Sequence, residues 1–230
     1  MSRTQSNIQQ RKAREAEARR EHIFAVVKAL IKKGGAREVT IRKVAQEAGF
    51  STTVVYSLFH DKATLITRAM DADLLELVGS MKKGAAGGTG PLQRLRLAGY
   101  AYMRFGMERP DEYALVFMEP RPHAPVEAAE VEHGNVDQDP YAFAFSLLQA
   151  VAVGELGYAL QDGALSEADA ATVHLMTQVF WQGLHGMVSL GIVMGEDDVW
   201  APFIAPQTNA EALLDVLIAG ITQRFRRPDA

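Results

Sequence analysis

Apolar residues recur along this chain at the spacing of α-helices, and no run of alternating β-branched residues indicates a strand. The first clear helix is predicted at residues 20–33, where one apolar stripe runs from Ile23 to Ile31. The pair Gly34-Gly35 follows it and is expected to end it, because glycine tolerates the left-handed conformation that closes a helix. The pattern predicts an all-α protein of about nine helices.

The same spacing predicts the other helices and their first residues. Two short helices over residues 41–48 and 52–59 follow the N-cap residues Thr40 and Ser51, and Asp61 is placed to cap the next helix. Longer helices are predicted at residues 62–82, 91–107, 110–119, 140–160, 166–194 and 208–225. Residues 120–139 and 195–207 are predicted to be irregular, the first of them as a long loop with prolines and charges.

Charge divides the chain into parts of opposite sign. Residues 1–62 hold 13 Lys and Arg against 6 Asp and Glu, whereas the remainder holds 11 against 22. This asymmetry indicates either an anion-binding head on an acidic body or two solvated surfaces of different sign. Residues 1–20 are polar and basic and are expected to form a flexible arm, since they have little apolar surface to bury. We expect a basic head domain at 21–64 and an acidic body at 65–230.

The segment 40–62, with the sequence TIRKVAQEAGFSTTVVYSLFHDK, is typical of a helix-turn-helix. Two short helices meet at Gly49, and Val44, Val54 and Phe59 are expected to form a small core with the first helix. The second helix then presents its polar residues outward, where its N-terminal residues could reach base edges in the major groove. The alternative is a plain helical hairpin in a bundle, but the exposed Thr-Thr-x-x-Tyr beside a basic arm favours DNA binding.

This pattern resembles the N-terminal domain of the tetracycline-repressor (TetR) family, over about residues 21–70. The resemblance implies phosphate contacts from Thr40, Tyr56 and Lys62, and base contacts from Thr52 and Thr53. The family often has His or Tyr immediately before the Phe, where this chain has Leu58, for which only a packing role is expected. The expected DNA-binding residues are Thr40, Arg42, Ser51, Thr52, Thr53, Tyr56, Ser57, His60 and Lys62.

A second pattern, Trp181-Gln-Gly-Leu-His185-Gly186, resembles the Trp…His-Gly signature of a C-terminal domain in one TetR subgroup, over roughly residues 92–225. Trp181 and His185 share a helical face. The pair is interpreted either as a core Trp on a buried His or as a His that points into an effector cavity. Candidate residues for a small apolar or aromatic effector are Tyr100, Met103, Phe117, Met118, Phe143, Phe145, Phe180, Trp181 and His185.

The sequence lacks the motifs that several classes of enzyme and metal-binding protein require. There is no cysteine, no His-x-x-x-His or His-Glu-x-x-His pair, no Gly-rich phosphate loop and no Gly-x-Ser-x-Gly elbow. We therefore expect no catalytic residue, no metal and no cofactor, and the protein is not predicted to be an enzyme.

No signal-peptide pattern precedes the first helix, and polar residues interrupt the most apolar window, 141–160. No membrane partner and a cytoplasmic location are expected.

A scaffold or ligand-binding protein without DNA-binding activity is the remaining alternative, and the Thr-Thr-x-x-Tyr face argues against it. The resemblance implies a DNA-binding domain at 21–64 and a ligand-binding and dimerisation domain at 65–230. By the same resemblance, helices 166–194 and 208–225 are expected to form the interface of a homodimer. The function implied is a transcriptional repressor that binds double-stranded operator DNA of palindromic sequence and is released by a small-molecule effector.

Overall fold

A computed structural model describes residues 3–119, 131–194, 199 and 204–228, with the side chains of residues 3–8 excepted. These residues form nine α-helices and no β-strand, which confirms the predicted all-α class. A 3₁₀ turn, Ala36–Glu38, which the sequence analysis did not predict, lies between the first two helices. The helices are α1 Arg3–Gly34, α2 Ile41–Glu47, α3 Thr52–Leu58, α4 Lys62–Ala85, α5 Pro91–Glu108, α6 Pro110–Phe117, α7 Pro140–Glu155, α8 Glu167–Met194 and α9 Pro206–Phe225.

The first helix begins at Arg3, so its predicted start at residue 20, after a flexible arm, is wrong. Local interactions explain the difference. The residues added to the helix are rich in Ala, Gln, Arg and Glu, which have high helix propensity. Ion pairs join Arg11 to Glu15 and Glu17 to Arg20, one turn apart. Residues 9–20 are not buried, so this part of α1 is stabilised by its own turns rather than by a core.

Most other helix ends follow the predicted signals. Glycines with positive φ follow α1 and α2, namely Gly35 at 75° and Gly49 at 70°. The predicted helix 140–160 ends early, at Glu155, before Gly157, whose φ is 80°. Residues 120–130, and all of 195–203 except Val199, lie outside the described residues, so the predicted irregular segments there are not described.

Contacts divide the chain into two units. The first unit comprises Met1–Ala72 and Ala114–Glu130, and the second comprises Asp73–Tyr113 and Val131–Ala230. Both α4 and α6 contribute residues to each unit. In the first unit, α1 packs on α2 and α2 packs on α3. Its core includes the fully buried side chains of Ile23, Val27, Val39, Val44, Val55 and Leu65.

The second unit is a bundle in which α5 packs on α7, α8 and α9, and α8 also packs on α7 and α9. Small residues allow the close approach of α5 to its neighbours. A Cβ atom added at Gly99 would lie 2.8 Å from Leu214 and 2.9 Å from Phe180. The most buried large side chains of this unit are Leu77, Leu95, Met103, Tyr113, Leu148, Leu156, Met176 and Leu214.

Candidate DNA-binding and effector sites

One side-chain cap marks the start of each of the two helices in the helix-turn-helix. The Thr40 hydroxyl accepts a hydrogen bond from the Lys43 amide at 3.2 Å, and the Ser51 hydroxyl accepts one from the Val54 amide at 3.3 Å. Both caps were predicted and are present. A hydroxyl that accepts in this way keeps its own hydrogen, which can be donated to a phosphate oxygen.

The turn between α2 and α3 is fixed by a residue of α1 that the sequence analysis missed. His22 Nε2 lies 3.2 Å from the carbonyl oxygen of Ala48, at the end of α2. The His22 ring also meets Phe50 edge to face, with centroids 5.9 Å apart. Because a carbonyl oxygen can only accept, His22 Nε2 is the donor in this contact, which connects α1 to the end of α2.

The outward face of α3 is polar, as the pattern predicts. Tyr56 is 55% exposed, and Thr52 and Thr53 are exposed beside it. One packing prediction is wrong: Val54, expected in the small core, is half-buried, whereas its neighbour Val55 is fully buried. Consecutive residues of a helix point about 100° apart around its axis, so only one of the two can face the core directly. All nine predicted DNA-binding side chains are exposed: Thr40, Arg42, Ser51, Thr52, Thr53, Tyr56, Ser57, His60 and Lys62.

The 3₁₀ turn before α2 is held by charged side chains from other parts of the first unit. Lys62 Nζ donates to the carbonyl oxygen of Ala36 at 2.8 Å. The amide of Ala36 in turn lies 3.5 Å from Glu119 Oε2. Lys43 pairs with Glu38, and this lysine holds the pKa of the Glu38 carboxyl below its usual value. Lys62 is thus positioned at the exposed entrance to α2 as well as at the start of α4.

Asp61 caps α4 as predicted. Its carboxylate accepts from the Thr64 amide at 2.7 Å, and this hydrogen bond lowers the pKa of Asp61. The cap fixes the first turn of α4 and so positions the neighbouring Lys62 side chain.

Leu58 is half-buried, in agreement with a packing contribution.

A chain of three hydrogen bonds connects four aromatic side chains in the second unit. Trp181 Nε1 donates to the Tyr102 hydroxyl at 2.9 Å. The Tyr102 and Tyr113 hydroxyls are 2.8 Å apart, and the Tyr113 hydroxyl lies 2.7 Å from His185 Nδ1. We call these four residues the aromatic relay. Tyr102 and Tyr113 are buried at 2% and 0% exposure, whereas Trp181 and His185 are half-buried.

Burial changes the pKa values of three side chains in the relay. It raises the pKa of Tyr102 to about 12 and raises that of Tyr113 further. It lowers the pKa of His185 below the ordinary value of 6.5. Both tyrosines and His185 are therefore neutral at pH 7, and the relay is a set of neutral hydrogen bonds.

More aromatic residues continue from the relay along α7 and α8. The Tyr141 ring meets Trp181 edge to face, with centroids 6.4 Å apart, and stacks on His174 at 6.0 Å. His174 in turn contacts Phe145, with centroids 4.3 Å apart. Tyr141, His174 and the relay tyrosines were not among the predicted effector residues. The placement of His174 and Trp181 seven apart, on one helical face, could have indicated His174.

The other predicted effector residues differ in exposure. Met103, Phe143 and Phe180 are buried in the core of the second unit, whereas Tyr100 and Phe145 are half-buried there. Phe117 and Met118 belong to the first unit, where Phe117 is half-buried and Met118 is 37% exposed. Among the described residues, no group of three or more His, Asp and Glu is arranged to hold a metal ion.

The capped α2 and α3, the fixed turn and the exposed polar face of α3 define a helix-turn-helix DNA-binding protein. Comparison with known protein families supports this class. Residues 23–69 match the family described as bacterial regulatory proteins, tetR family. Residues 95–219, more than half of the chain, match the tetracyclin repressor-like C-terminal domain. The chain therefore belongs to the TetR family of transcription regulators, a family of DNA-binding and ligand-binding proteins rather than enzymes.

Solved structures share this fold. The protein SCO4313 superposes with a TM-score of 0.67 at 20% identity, covering 90% of this chain and 98% of its own. A TetR family transcription regulator from Marinobacter aquaeolei gives 0.63 at 15%, covering 91% and 97%. FadR of Bacillus subtilis, solved with stearoyl-CoA, gives 0.63 at 13%, covering 87% and 98%. No curated protein matches the sequence. No helix among the described residues has the length and hydropathy of a membrane span.

Proposed function

We propose that this protein is a repressor that binds a palindromic operator as a homodimer and leaves it when a small apolar or aromatic effector binds. The single observation that carries the DNA-binding part is the exposed polar face of α3, with Thr52, Thr53 and Tyr56 outward on a helix capped by Ser51. A helix of this kind enters the major groove with its N-terminal residues against base edges. Thr40 and Lys62 supply backbone contacts beside it.

The proposed dimer uses exposed apolar residues of the second unit. On α8, Leu175, Val179, Leu190 and Val193 are 51%, 39%, 53% and 70% exposed. Their spacing places all four within about 60° around the helix axis, at 3.6 residues per turn. Val216 of α9 is also 68% exposed. An apolar stripe of this extent is typical of a surface that another protein covers, and a second copy would present the same stripe.

The dimer is tested by light scattering after gel filtration. We expect a mass of two chains for the wild-type protein and of one chain for Leu190→Arg. Leu160→Arg is the matched control, because Leu160 is 43% exposed but lies outside α8 and α9. A wild-type mass of one chain at all concentrations would overturn the homodimer.

The proposed effector site is the half-buried aromatic surface around Trp181 and His185, with Tyr141 beside it. Aromatic and apolar walls with few polar groups are the ordinary lining of small-molecule sites. The stearoyl-CoA in FadR belongs to that protein, and the effector class proposed here rests on the residues of this chain. As a regulator of bacterial genes, the protein would act in the cytoplasm, where the chromosome lies.

The repressor mechanism predicts reciprocal binding of DNA and effector. A thermal-shift screen of small aromatic and aliphatic compounds would identify a ligand, and calorimetry would then measure its affinity with and without operator DNA. By linkage, operator must weaken effector binding by the same factor by which effector weakens operator binding. Equal affinities would contradict release by that effector, and increased transcription from the operator's promoter in the presence of the protein would contradict repression.

A further inference from the structure

An acidic side chain lies among basic residues at the entrance to the helix-turn-helix. Glu38 belongs to the 3₁₀ turn before α2, and its carboxylate pairs with the ammonium group of Lys43 in the first turn of α2. This pair lowers the pKa of Glu38, and Lys33 and Arg37 are close enough to lower it further. Three cations therefore act on one carboxylate, in the part of the chain whose partner, DNA, is itself an anion.

The Lys43–Glu38 pair adjoins two proposed phosphate contacts. The Lys43 amide donates to the Thr40 hydroxyl at 3.2 Å. The 3₁₀ turn that carries Glu38 accepts a hydrogen bond from Lys62 through the carbonyl oxygen of Ala36. The side chains of Lys43 and Glu38 are 39% and 41% exposed, so a bound molecule can reach both. A lysine in this position would add a contact to the DNA backbone if its charge were not already paired.

The last residue of α1 makes room for the acidic side chain. Gly34 is part of the helix, so its backbone conformation does not require glycine. A Cβ atom added there would lie 2.6 Å from Cγ of Glu38 and 3.4 Å from its carboxyl carbon. The Glu38 side chain therefore lies against the backbone of Gly34, and a larger residue at position 34 would displace it. The position of the carboxylate is set by Gly34 as well as by Lys43.

We propose that Glu38 masks Lys43 as a contact to the DNA backbone and thereby limits the affinity of the protein for DNA of any sequence. An unpaired Lys43 would neutralise a phosphate and release its counterion, whereas the pair has no net charge to do so. Phosphates carry no sequence information, so masking weakens the binding of operator and unrelated DNA alike. Glu38 acts through Lys43 and is a positioning residue. This inference rests on the DNA contacts of the first unit in the proposed function.

The first test measures binding of the full chain to an unrelated duplex of about 30 base pairs, or three helical turns, by fluorescence anisotropy at several salt concentrations. Glu38→Gln should bind more tightly than the wild type and raise the salt slope by about one unit for each bound chain. Its advantage should fall about 3.5-fold per bound chain as the salt concentration rises from about 50 to 200 mM. The melting temperature should change little, because the pair is exposed. Wild-type affinity and slope in Glu38→Gln would overturn the proposal.

Two further comparisons separate masking from the general effect of removing one negative charge. Glu47→Gln removes the same charge from an exposed position at the last residue of α2, and its gain in affinity should be much smaller. In a Lys43→Gln background, Glu38→Gln should give only this smaller gain, since no lysine remains to be unmasked. A gain from Glu38→Gln that is equal with and without Lys43, or that Glu47→Gln matches, would overturn the proposal.

The second test keeps every charge. Gly34→Ala must displace the Glu38 side chain, so it should weaken the pair with Lys43 and raise both DNA affinity and salt slope, as Glu38→Gln does. An NMR titration of the Glu38 carboxyl follows the pair without DNA. Its pKa lies below the ordinary value in the wild type and should rise in Lys43→Gln and in Gly34→Ala. A Glu38 pKa that is unchanged in Lys43→Gln, or one that rises in Gly34→Ala without a gain in DNA affinity, would contradict masking.

The outcomes separate this inference from the proposed function, because the duplex is unrelated to the operator and no effector is present. If Glu38→Gln gains affinity through Lys43 but the dimer, repression or effector release fails its own test, the masking of Lys43 stands. If the wild type binds its operator and is released by an effector but Glu38→Gln gains nothing, the proposed function stands and the masking fails. No binding of either DNA by any variant would overturn both.

Discussion

The ammonium group of Lys62 donates a hydrogen bond to the carbonyl oxygen of Ala36 at 2.8 Å, although the two residues are 26 positions apart. The contact joins the first turn of α4 to the 3₁₀ turn that precedes α2. Lys62 therefore has two roles in the first unit. It stabilises the 3₁₀ turn before the helix-turn-helix, and it places a positive charge beside that turn.

Replacing Lys62 with alanine should weaken binding to every DNA sequence and lower the salt slope of the binding constant by about one unit. Loss of the Ala36 hydrogen bond from an exposed site should cost little stability. Fluorescence anisotropy at several salt concentrations measures the effect. Lys83→Ala removes the same charge from the other end of α4, outside the first unit, and is the control. An unchanged slope in Lys62→Ala would remove Lys62 from the phosphate contacts.

Thr53 offers a hydroxyl and a methyl group on the exposed face of α3. Thr53→Ala should change the preference at one base pair per half-site by about 1–3 kcal/mol. Thr53→Val keeps the methyl group and replaces the hydroxyl with a second methyl, so it should retain the preference if the contact is to a thymine methyl and lose it if the hydroxyl reads a base edge. Affinities for a set of single-base operator variants decide this. A uniform loss over all variants would instead assign Thr53 to the DNA backbone.

The N-terminal half of α1 should contribute DNA affinity but no core stability. Removing residues 1–19 deletes five Arg and Lys and two Glu, a net loss of three positive charges. The side chains of residues 9–20 are not buried, so we expect an unchanged melting temperature, with weaker and less salt-dependent DNA binding. A variant with Arg11, Lys12 and Arg14 all changed to Gln keeps the helix and removes three charges, so it should reproduce the loss. A large fall in melting temperature on truncation would show that this segment packs on the rest of the chain.

The features predicted from sequence were those that local chemistry determines. Thr40, Ser51 and Asp61 cap helices because a short oxygen-bearing side chain before an apolar periodic segment satisfies free amides wherever it occurs. The exposed face of α3 followed from periodicity alone. The helical start of α1 was missed because a segment without an apolar stripe gives no periodic signal, although its helix propensity and its ion pairs at i, i+3 and i, i+4 stabilise a helix.

The contacts that sequence could not predict join residues far apart in the chain. Trp181 lies 79 positions from Tyr102, and Tyr113 lies 72 from His185. The four-residue spacing of Trp181 and His185 indicated a shared face but left open whether His185 was packed or directed at a ligand. Only the packing of α5, α6 and α8 shows that a tyrosine hydroxyl reaches its Nδ1 while its ring stays half-buried.

Close packing in the second unit leads to a stability prediction at Gly106 of α5. A Cβ atom there would clash with Val188 of α8 and lie 2.8 Å from the Tyr113 ring. Gly106→Ala should therefore destabilise the protein by about 1–3 kcal/mol, because neighbouring side chains must shift in a close-packed core. Gly79→Ala is the control: Gly79 is exposed in α4 with nothing within 4 Å of an added Cβ, so it should stabilise by about 0.5–1 kcal/mol. Urea denaturation measures both, and equal effects would contradict the packing described for Gly106.

The partial burial of His185 predicts how stability depends on pH. Desolvation lowers the pKa of His185 in the folded protein below 6.5, so the unfolded chain binds more protons as the pH falls below that value. Stability from this residue is therefore fully present above pH 6.5 and is lost as the pH falls through the folded-state pKa. We expect the melting temperature of the wild-type protein to fall more steeply below pH 6.5 than that of His185→Gln. His60→Gln, which removes an exposed histidine, should follow the wild-type curve. Parallel curves for wild type and His185→Gln would show that His185 titrates alike in the folded and unfolded chains, which is incompatible with its desolvation in the folded protein.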